Sequence, residues 1–390
     1  MNKGKYVFAQ LTIFLPARVF GRCVAKYSGN KWVKHFSCWN QMMCMMFGQL
    51  SGRESLRDLL ITIGAHTGNY YHLDFGKNVS RSNLASANEL RDCQIYETFA
   101  YEMIAFASRT IKGDADFSLN VPGNVYAFDS TTIDLCLNVF WWATFRTAKG
   151  AIKIHTLLDV KTSIPTFIHI TEGSVHDVNA LDVLTYEAGG FYIMDKAYVD
   201  FKRLNNIDMA LAYFVTRAKE NFSFTRVSSV KPDKSKGVIC DQTVRLKGQK
   251  SREAYPKYLR RIKYFDAELE RYFVFITNNF DQSATEIALL YKYRWKVELF
   301  FKWIKQHLKI KSFWGTSFNA VKTQVYIAVS TYTLVAIIKN ELKLKHSTYE
   351  ILQILSVSLL DITSLVDLLR SPIYQDVKDL KCKQIKMNLI

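Results

Sequence analysis

The order of segments between residues 122 and 216 constrains the fold more than any other feature of the chain. After Pro122-Gly123-Asn124, three β-rich runs (Val125 to Phe128, Ala151 to Val160, Ile164 to Thr171) alternate with turn-prone residues, the pattern of a strand meander. Asp177 can then cap a helix through Tyr186, which Gly189-Gly190 ends. Phe191-Tyr192-Ile193-Met194 reads as a buried strand ending at Asp195, Ala197 to Ile207 as a helix, and Ala212 to Thr216 as another strand. Three strands, helix, strand, helix, strand is an α/β order.

The flanking regions differ in character. Residues 1–118 read as short helices, with turn signals at Ser28-Gly29-Asn30, Gly48, Gly52 and Gly76. Ser51-Gly52-Arg53-Glu54 has capping-box spacing and predicts a helix to about Ile63; Ser80 starts another region of helical periodicity running towards Ile104. With Arg81 and Arg91 aboard, these helices are either a helix-turn-helix-like DNA reader or an ordinary helical region. From about 218 to 279 the chain is strand-like and basic. Between Lys219 and Lys263 there are 13 Lys/Arg against 4 Asp/Glu, so 13 − 4 = +9 of the net +17 lies there. That excess suits contact with phosphates, or else a solvated basic surface. A long helix is expected from near Ser283 past Lys305, and mostly helix from 317 to 390.

A formal charge of +17 favours polyanionic partners, nucleic acid before an anionic membrane surface. The apolar run Val325 to Ile338 is shorter than the roughly 20 residues of a membrane span and reads as a core helix. No small-residue cleavage site follows the apolar stretch Tyr6 to Leu15, so a cytoplasmic, nucleoid-associated protein is expected. Seven scattered cysteines without a Cys-x-x-Cys pair predict neither disulfides nor structural zinc.

Asp129 and Asp195 each follow a short apolar strand, where a carboxylate can emerge from a sheet into a cleft. On a continuous helix, Tyr291, Arg294, Glu298 and Lys305 fall within an arc of about 60°, with Lys302 close by and Trp295 at its flank. Val297, Leu299, Phe300, Phe301, Trp303, Ile304 and Leu308 cover the opposite side. From Lys292 to Lys311 there are seven basic residues and one acid, leaving Glu298 isolated in a phosphate-attracting field. Three carboxylates without His or Cys suit a hard ion, magnesium or manganese in its place. Two such ions about 4 Å apart can serve phosphodiester transfer.

Tyr291-x-x-Arg294-x-x-x-Glu298-x-x-x-x-x-x-Lys305 resembles the Tyr-Arg-Glu-Lys signature of bacterial insertion-sequence transposases of the IS-four family. Phe128-Asp129-Ser130-Thr131 and Met194-Asp195-Lys196-Ala197-Tyr198 are similar to its first and second acidic blocks, as are Lys149 to His155 and His176-Asp177 to neighbouring family positions. The likeness spans about residues 80 to 316, and Ala197 stands where the family often has glycine.

The resemblance implies a ribonuclease-H-like DDE catalytic domain over 119–316, a β-rich insertion over 218–279 and helical regions on either side. It further implies metal binding by Asp129, Asp195 and Glu298, and terminal phosphates held by Tyr291, Arg294 and Lys305. By helix geometry Lys302 adjoins these contacts and Trp295 is either a stacking face for a displaced base or a side chain packed under a neighbouring element, and by the resemblance Thr131 supports the first strand end. The DNA partners would be the element's terminal inverted repeats and a target duplex, held by a homodimer. The implied reaction is end nicking, hairpin formation and opening, and strand transfer. His155, His169 and His176 are expected to be structural, since an oxygen-only site does not need them. A nuclease of the same fold and a transposase-derived repressor remain open alternatives.

Overall fold

A computed structural model of the chain describes residues 5–66, 68, 71–76, 79–113, 117–146, 149–307, 310 and 313–370. The helices α1 (Val7–Thr12), α2 (Ala17–Lys26), α3 (Cys38–Leu50), α4 (Leu56–Gly64), α5 (Arg81–Leu90) and α6 (Gln94–Thr110) come first. Then follow β1 (Val125–Leu135), β2 (Thr144–Arg146), β3 (Lys149–Asp159), β4 (Pro165–Glu172), β5 (Phe191–Met194), α7 (Phe201–Met209) and β6 (Tyr213–Arg217). The basic segment contributes β7 (Phe224–Val230), β8 (Val238–Leu246), α8 (Gln249–Ala254), β9 (Leu259–Asp266) and β10 (Arg271–Thr277). The chain continues through α9 (Ala284–Lys292), α10 (Trp295–His307), α11 (Phe318–Glu341), α12 (Thr348–Ser358) and α13 (Leu365–Arg370).

These strands make one mixed sheet of ten, in the order β2-β3-β1-β5-β6-β10-β9-β8-β7, with β4 also on β3. At its centre β5 runs parallel to both β1 and β6, and all four of its residues are buried. A strand covered on both faces must be apolar throughout, which is why Phe191 to Met194 was readable as a strand. Alternate residues serve two cores. Ala127, Ile193 and Val215 join a cluster with Val297 and Ile304 of α10, whereas Phe128, Tyr192, Met194 and Phe214 pack with Leu204 and Ile207 of α7. The sheet therefore lies between helical layers.

The helix α11 is longer than its apolar run suggested. It meets the length and hydropathy of a membrane span, but 89% of that window is buried inside the protein. Its buried polar groups find protein partners: Ser330, Thr331 and Thr333 hydroxyls donate to carbonyls one turn back, and the Gln49 amide donates to the Gln324 carbonyl at 3.1 Å. The helix thus ties the N-terminal helices α3 and α6 to α10 and the sheet.

Several sequence expectations change. Ser51 closes α3, while α4 starts after Ser55, whose side chain accepts the Asp58 N–H. Gly48 lies inside α3 and makes no turn; a Cβ there would meet the Trp314 ring at 2.6 Å, so close packing fixes its size. Asp177 to Val183 forms a 3-10 helix capped by His176 and does not reach Tyr186. The helix expected over Ala197 to Ile207 is a 3-10 turn followed by α7. Arg91 is folded inward, bonded to Gln41 Oε1 and the Phe36 carbonyl, so it is no part of an exposed reader. Leu299 is exposed, not part of the buried side of α10; Leu308 and residues 371–390 lie outside the described residues.

Candidate active site

Strand register brings the first two carboxylates together. The parallel pairing of β1 with β5 runs from Val125↔Phe191 to Phe128↔Met194, so Asp129 and Asp195 each stand one residue past its end. Asp129 does not end its strand: β1 continues to Leu135 because β3 offers it an antiparallel partner, with Asp129 opposite Thr156. The polar run Asp129-Ser130-Thr131-Thr132 hid that continuation from apolar patterning. Asp195 does leave the sheet. It caps the 3-10 turn Lys196–Tyr198, its Oδ1 accepting the Ala197 N–H at 3.1 Å.

The third carboxylate arrives through a break that the continuous-helix reading lacked. The Arg294, Lys296 and Val297 N–H groups donate to the Tyr291, Tyr293 and Arg294 carbonyls at 3.0–3.2 Å. Such i→i+3 bonds tighten the chain between α9 and α10 and alter the angle per residue. The predicted single stripe becomes several directions. Tyr291 is buried against Phe275, with its hydroxyl 3.4 Å from Asp195 Oδ2. Arg294 reaches across to Asp129 Oδ2 at 2.9 Å and back to Glu298 Oε1 at 2.5 Å. Lys305 Nζ donates to the Thr132 carbonyl of β1 at 2.7 Å. Glu298, Lys302 and Trp295 are exposed, the indole at 49%.

Two neighbouring carboxylates are driven in opposite directions. Burial pushes Asp129 up to about 6; the Ser130 N–H and Arg294 pull it down, while Glu298 and Asp195 add to the rise. Burial also raises Asp195, but the Arg217 hydrogen bond at 2.5 Å, the Ala197 N–H, and the charges of Arg217 and Arg294 outweigh it and hold it below the usual carboxylate range. Such a site needs positive charge. Two guanidiniums supply it here, and the Nε atoms of Arg217 and Arg294 are buried without hydrogen-bond partners among the described residues. Among the described residues no three His, Cys, Asp or Glu side chains form a ready cage for an ion. The donor chemistry nevertheless fits a hard divalent cation: oxygen ligands only, on carboxylates that demand cationic compensation.

Sequence reasoning missed Arg217, one residue past the run assigned to β6, and Tyr198, whose hydroxyl lies 3.5 Å from Asp129 Oδ1. It also missed a groove of about 530 Å³ beside Asp195, whose walls include Lys196, Arg217, Phe222, Phe224, Arg261 and Arg271. Arg261 lies over the Phe224 ring at 4.9 Å. Cations interleaved with aromatic faces are a nucleic-acid pattern. The basic count in that segment was the available signal; the pairing of β7 with β8 and β9 with β10 was not.

The family described as "Transposase DDE domain" matches residues 121–334, over half of the 390-residue chain, and takes in Asp129, Asp195 and Glu298. The chain belongs to this family. The transposase is 34% identical over 261 residues to a candidate transposase, y4zB, of Sinorhizobium fredii, covering 65% of this chain and 70% of that one. It is 32% identical over 232 residues to a probable transposase for insertion sequence element IS5377 of Geobacillus stearothermophilus, covering 58% and 59% respectively. Among solved structures it is similar to the piggyBac transposase synaptic complex with hairpin DNA, at 10% identity and a TM-score of 0.45, over 96% of this chain and 84% of that one. A domain of unknown function (DUF4372) matches residues 3–75. The protein is a DNA transposase, an enzyme of DNA cutting and strand transfer from a family that uses divalent metal ions.

Proposed function

We propose that the chain is an insertion-sequence transposase of the IS-four, Tyr-Arg-Glu-Lys type, with a ribonuclease-H-like core over 119–316 into which 218–279 is inserted. The observation that carries this reading is the convergence of Asp129, Asp195 and the Arg294–Glu298 pair from β1, β5 and the α9–α10 break. Asp129, Asp195 and Glu298 would hold two magnesium ions, or manganese, which when bound activate an attacking oxygen and stabilise the leaving one.

The chain's own groups supply placement. With the carboxylates compensated by metal, the guanidiniums of Arg294 and Arg217 are available to phosphate oxygens, which they match in geometry and charge. Lys302 and Lys305 extend that cationic wall, Tyr291 closes it from below, and the exposed Trp295 offers a stacking face to a base displaced beside a hairpin. The groove with Phe222, Phe224 and Arg261 continues from Asp195 and would receive the adjoining strand. A homodimer would hold the two element ends together during strand transfer into target DNA.

The test is Glu298→Ala on the full chain, assayed with labelled duplexes from the DNA flanking its gene. Cleavage in magnesium should fall at least about a thousandfold, roughly 4 kcal/mol of barrier, while end binding stays near normal. Wild-type nicking by the variant removes Glu298 from the site. A wild-type protein that nicks but never joins a pre-cleaved end is a nuclease.

A further inference from the structure

We infer that Ser130, Asp177 and Lys153 form a bracket on the reverse face of the sheet that fixes the direction of the Asp129 carboxylate, which makes them positioning residues for the divalent ion it would hold. The inference rests on the transposase reading above, in which Asp129 is a metal ligand, and gives a role to side chains that reading leaves unused. Its first support is where β1 loses a neighbour. As far as Phe128 the strand lies between β3 and β5; from Asp129 onward the ladder to β5 is gone and the ladder to β3 alone continues. The carboxylate thus stands just where one of the two rows of backbone bonds that hold its strand stops.

Side chains on the reverse face make up for the missing ladder. Successive residues of a strand point to opposite faces, so Ser130 points away from Asp129. Its Oγ donates to Asp177 Oδ1 at 2.9 Å, and the same oxygen takes Lys153 Nζ at 3.2 Å. Lys153 belongs to β3, opposite Thr132 and so on the face of Ser130, and its Nζ also donates to the Val175 carbonyl at 2.7 Å. The three side chains come from β1, from β3 and from the 3-10 helix that begins at Asp177, and together they clamp the strand to the connection that follows β4.

The bracket is stiff because its cation is buried. Lys153 is 8% exposed, a position a lysine keeps only with charge and hydrogen bonds about it, so its ammonium holds Asp177 in place although that carboxylate is about a third exposed. At the other end Ser130 hands the constraint to Asp129. The Ser130 N–H donates to Asp129 Oδ1 at 2.8 Å, and Tyr198, whose hydroxyl lies 3.5 Å from the same oxygen, packs its ring against Phe128 at 5.1 Å. With Oδ1 fixed in this way, Oδ2 is aimed at Arg294 and the acidic site. Partners that orient a ligating carboxylate contribute to a metal site's affinity, and their loss weakens binding by about 10–100-fold.

The experiment measures, on the full chain without DNA, the manganese concentration needed for a fixed rise in melting temperature, which reports the ion's affinity without a turnover. Ser130→Ala should need at least about tenfold more manganese while its metal-free melting temperature stays that of the wild type. Ser130→Thr, which keeps the hydroxyl, should restore the wild-type concentration. Lys153→Met with Asp177→Leu removes the acceptor without leaving a charge buried alone, and should give the same shift as Ser130→Ala. Adding Ser130→Ala to that pair should shift it no further, because all three act through one contact. A wild-type manganese requirement in Ser130→Ala overturns the bracket and leaves the transposase reading standing, and so does an additive effect in the triple variant. An Asp129→Asn variant that responds to manganese as the wild type does removes the ion from the acidic site and overturns both.

Discussion

The centre and the outer edge of the sheet are made of the same secondary structure and do opposite things. In β5 all four side chains are buried between two parallel neighbours, whereas in β7, at the far edge, Phe224 alone is even half-covered. The centre fixes atoms: burial on both faces leaves one register, and that register sets Asp129 beside Asp195. The edge faces water: β7 itself has a single charge, Arg226, and the connections around it carry the exposed Lys231, Lys234 and Lys247, which water accommodates at little cost. Position within a sheet, more than strand propensity, separates a region that fixes its side chains in one register from a region that faces water.

Arg260 is the strongest way to break that comparison. It lies in the basic outer half, yet it is buried against Asp241 at 2.7 and 2.9 Å, with its Nη1 donating to the Gln282 carbonyl at 2.5 Å. Arg260→Met should cost about 3–5 kcal/mol in denaturant unfolding, because Asp241 is left buried and unpaired. A cost under about 1 kcal/mol would make it one more surface charge.

Paired core and edge truncations sharpen the contrast. Ile193→Ala in β5 should lose roughly 2–5 kcal/mol through transfer and cavity terms, while Val227→Ala, 51% exposed in β7, should stay within about 0.5. Equal losses would show that the outer strands share the central core's cooperativity.

A third measurement uses pH. His155 of β3 is fully buried, its Nε2 shares a 3.0 Å hydrogen bond with Thr171 Oγ1, and its Nδ1 has no hydrogen-bond partner among the described residues. Burial first, then the charges of His169 and Lys153, hold it near 4 against a usual 6.5, although Asp177 opposes this. The unfolded chain therefore takes up the proton first. Its stabilisation is complete above about pH 6.5 and is lost as pH falls towards 4, up to about 3 kcal/mol. Urea midpoints of His155→Gln should fall less steeply over that window; parallel curves would place the acid sensitivity elsewhere.

The smallest effect on stability is expected at the edge itself. Lys231, Lys234, Lys247 and Lys250 are exposed. Changing all four to glutamate should shift stability by no more than about 0.5 kcal/mol per site, yet weaken DNA binding and flatten its salt dependence. An unaltered salt slope would make this segment a solvated basic surface.

Local chemistry made much of this protein legible. Continuous apolar runs announced β5 and β6, because burial leaves its mark residue by residue, while the resemblance to a transposase family pointed to Asp129, Asp195 and Glu298 as the candidate site. Signals that depended on a neighbour were misread. Gly48 looked like a turn until Trp314 packed against it, and Asp129 looked like a strand end until β3 extended β1 beyond it.

The sequence by itself determined the parts: an α/β order, a basic chain, three carboxylates and the cations that accompany them. Tertiary structure alone decided their partners. The break between α9 and α10 turned a presumed stripe into Arg294 clamping Asp129 and Glu298, put Tyr291 under the site and tied Lys305 to the β1 backbone. Packing of α5 beside α3 likewise turned Arg91 inward, onto Gln41 Oε1. The reason is physical: periodicity fixes direction only along an unbroken element, and which charges meet is settled by how elements pack, over distances in the chain that no local pattern encodes.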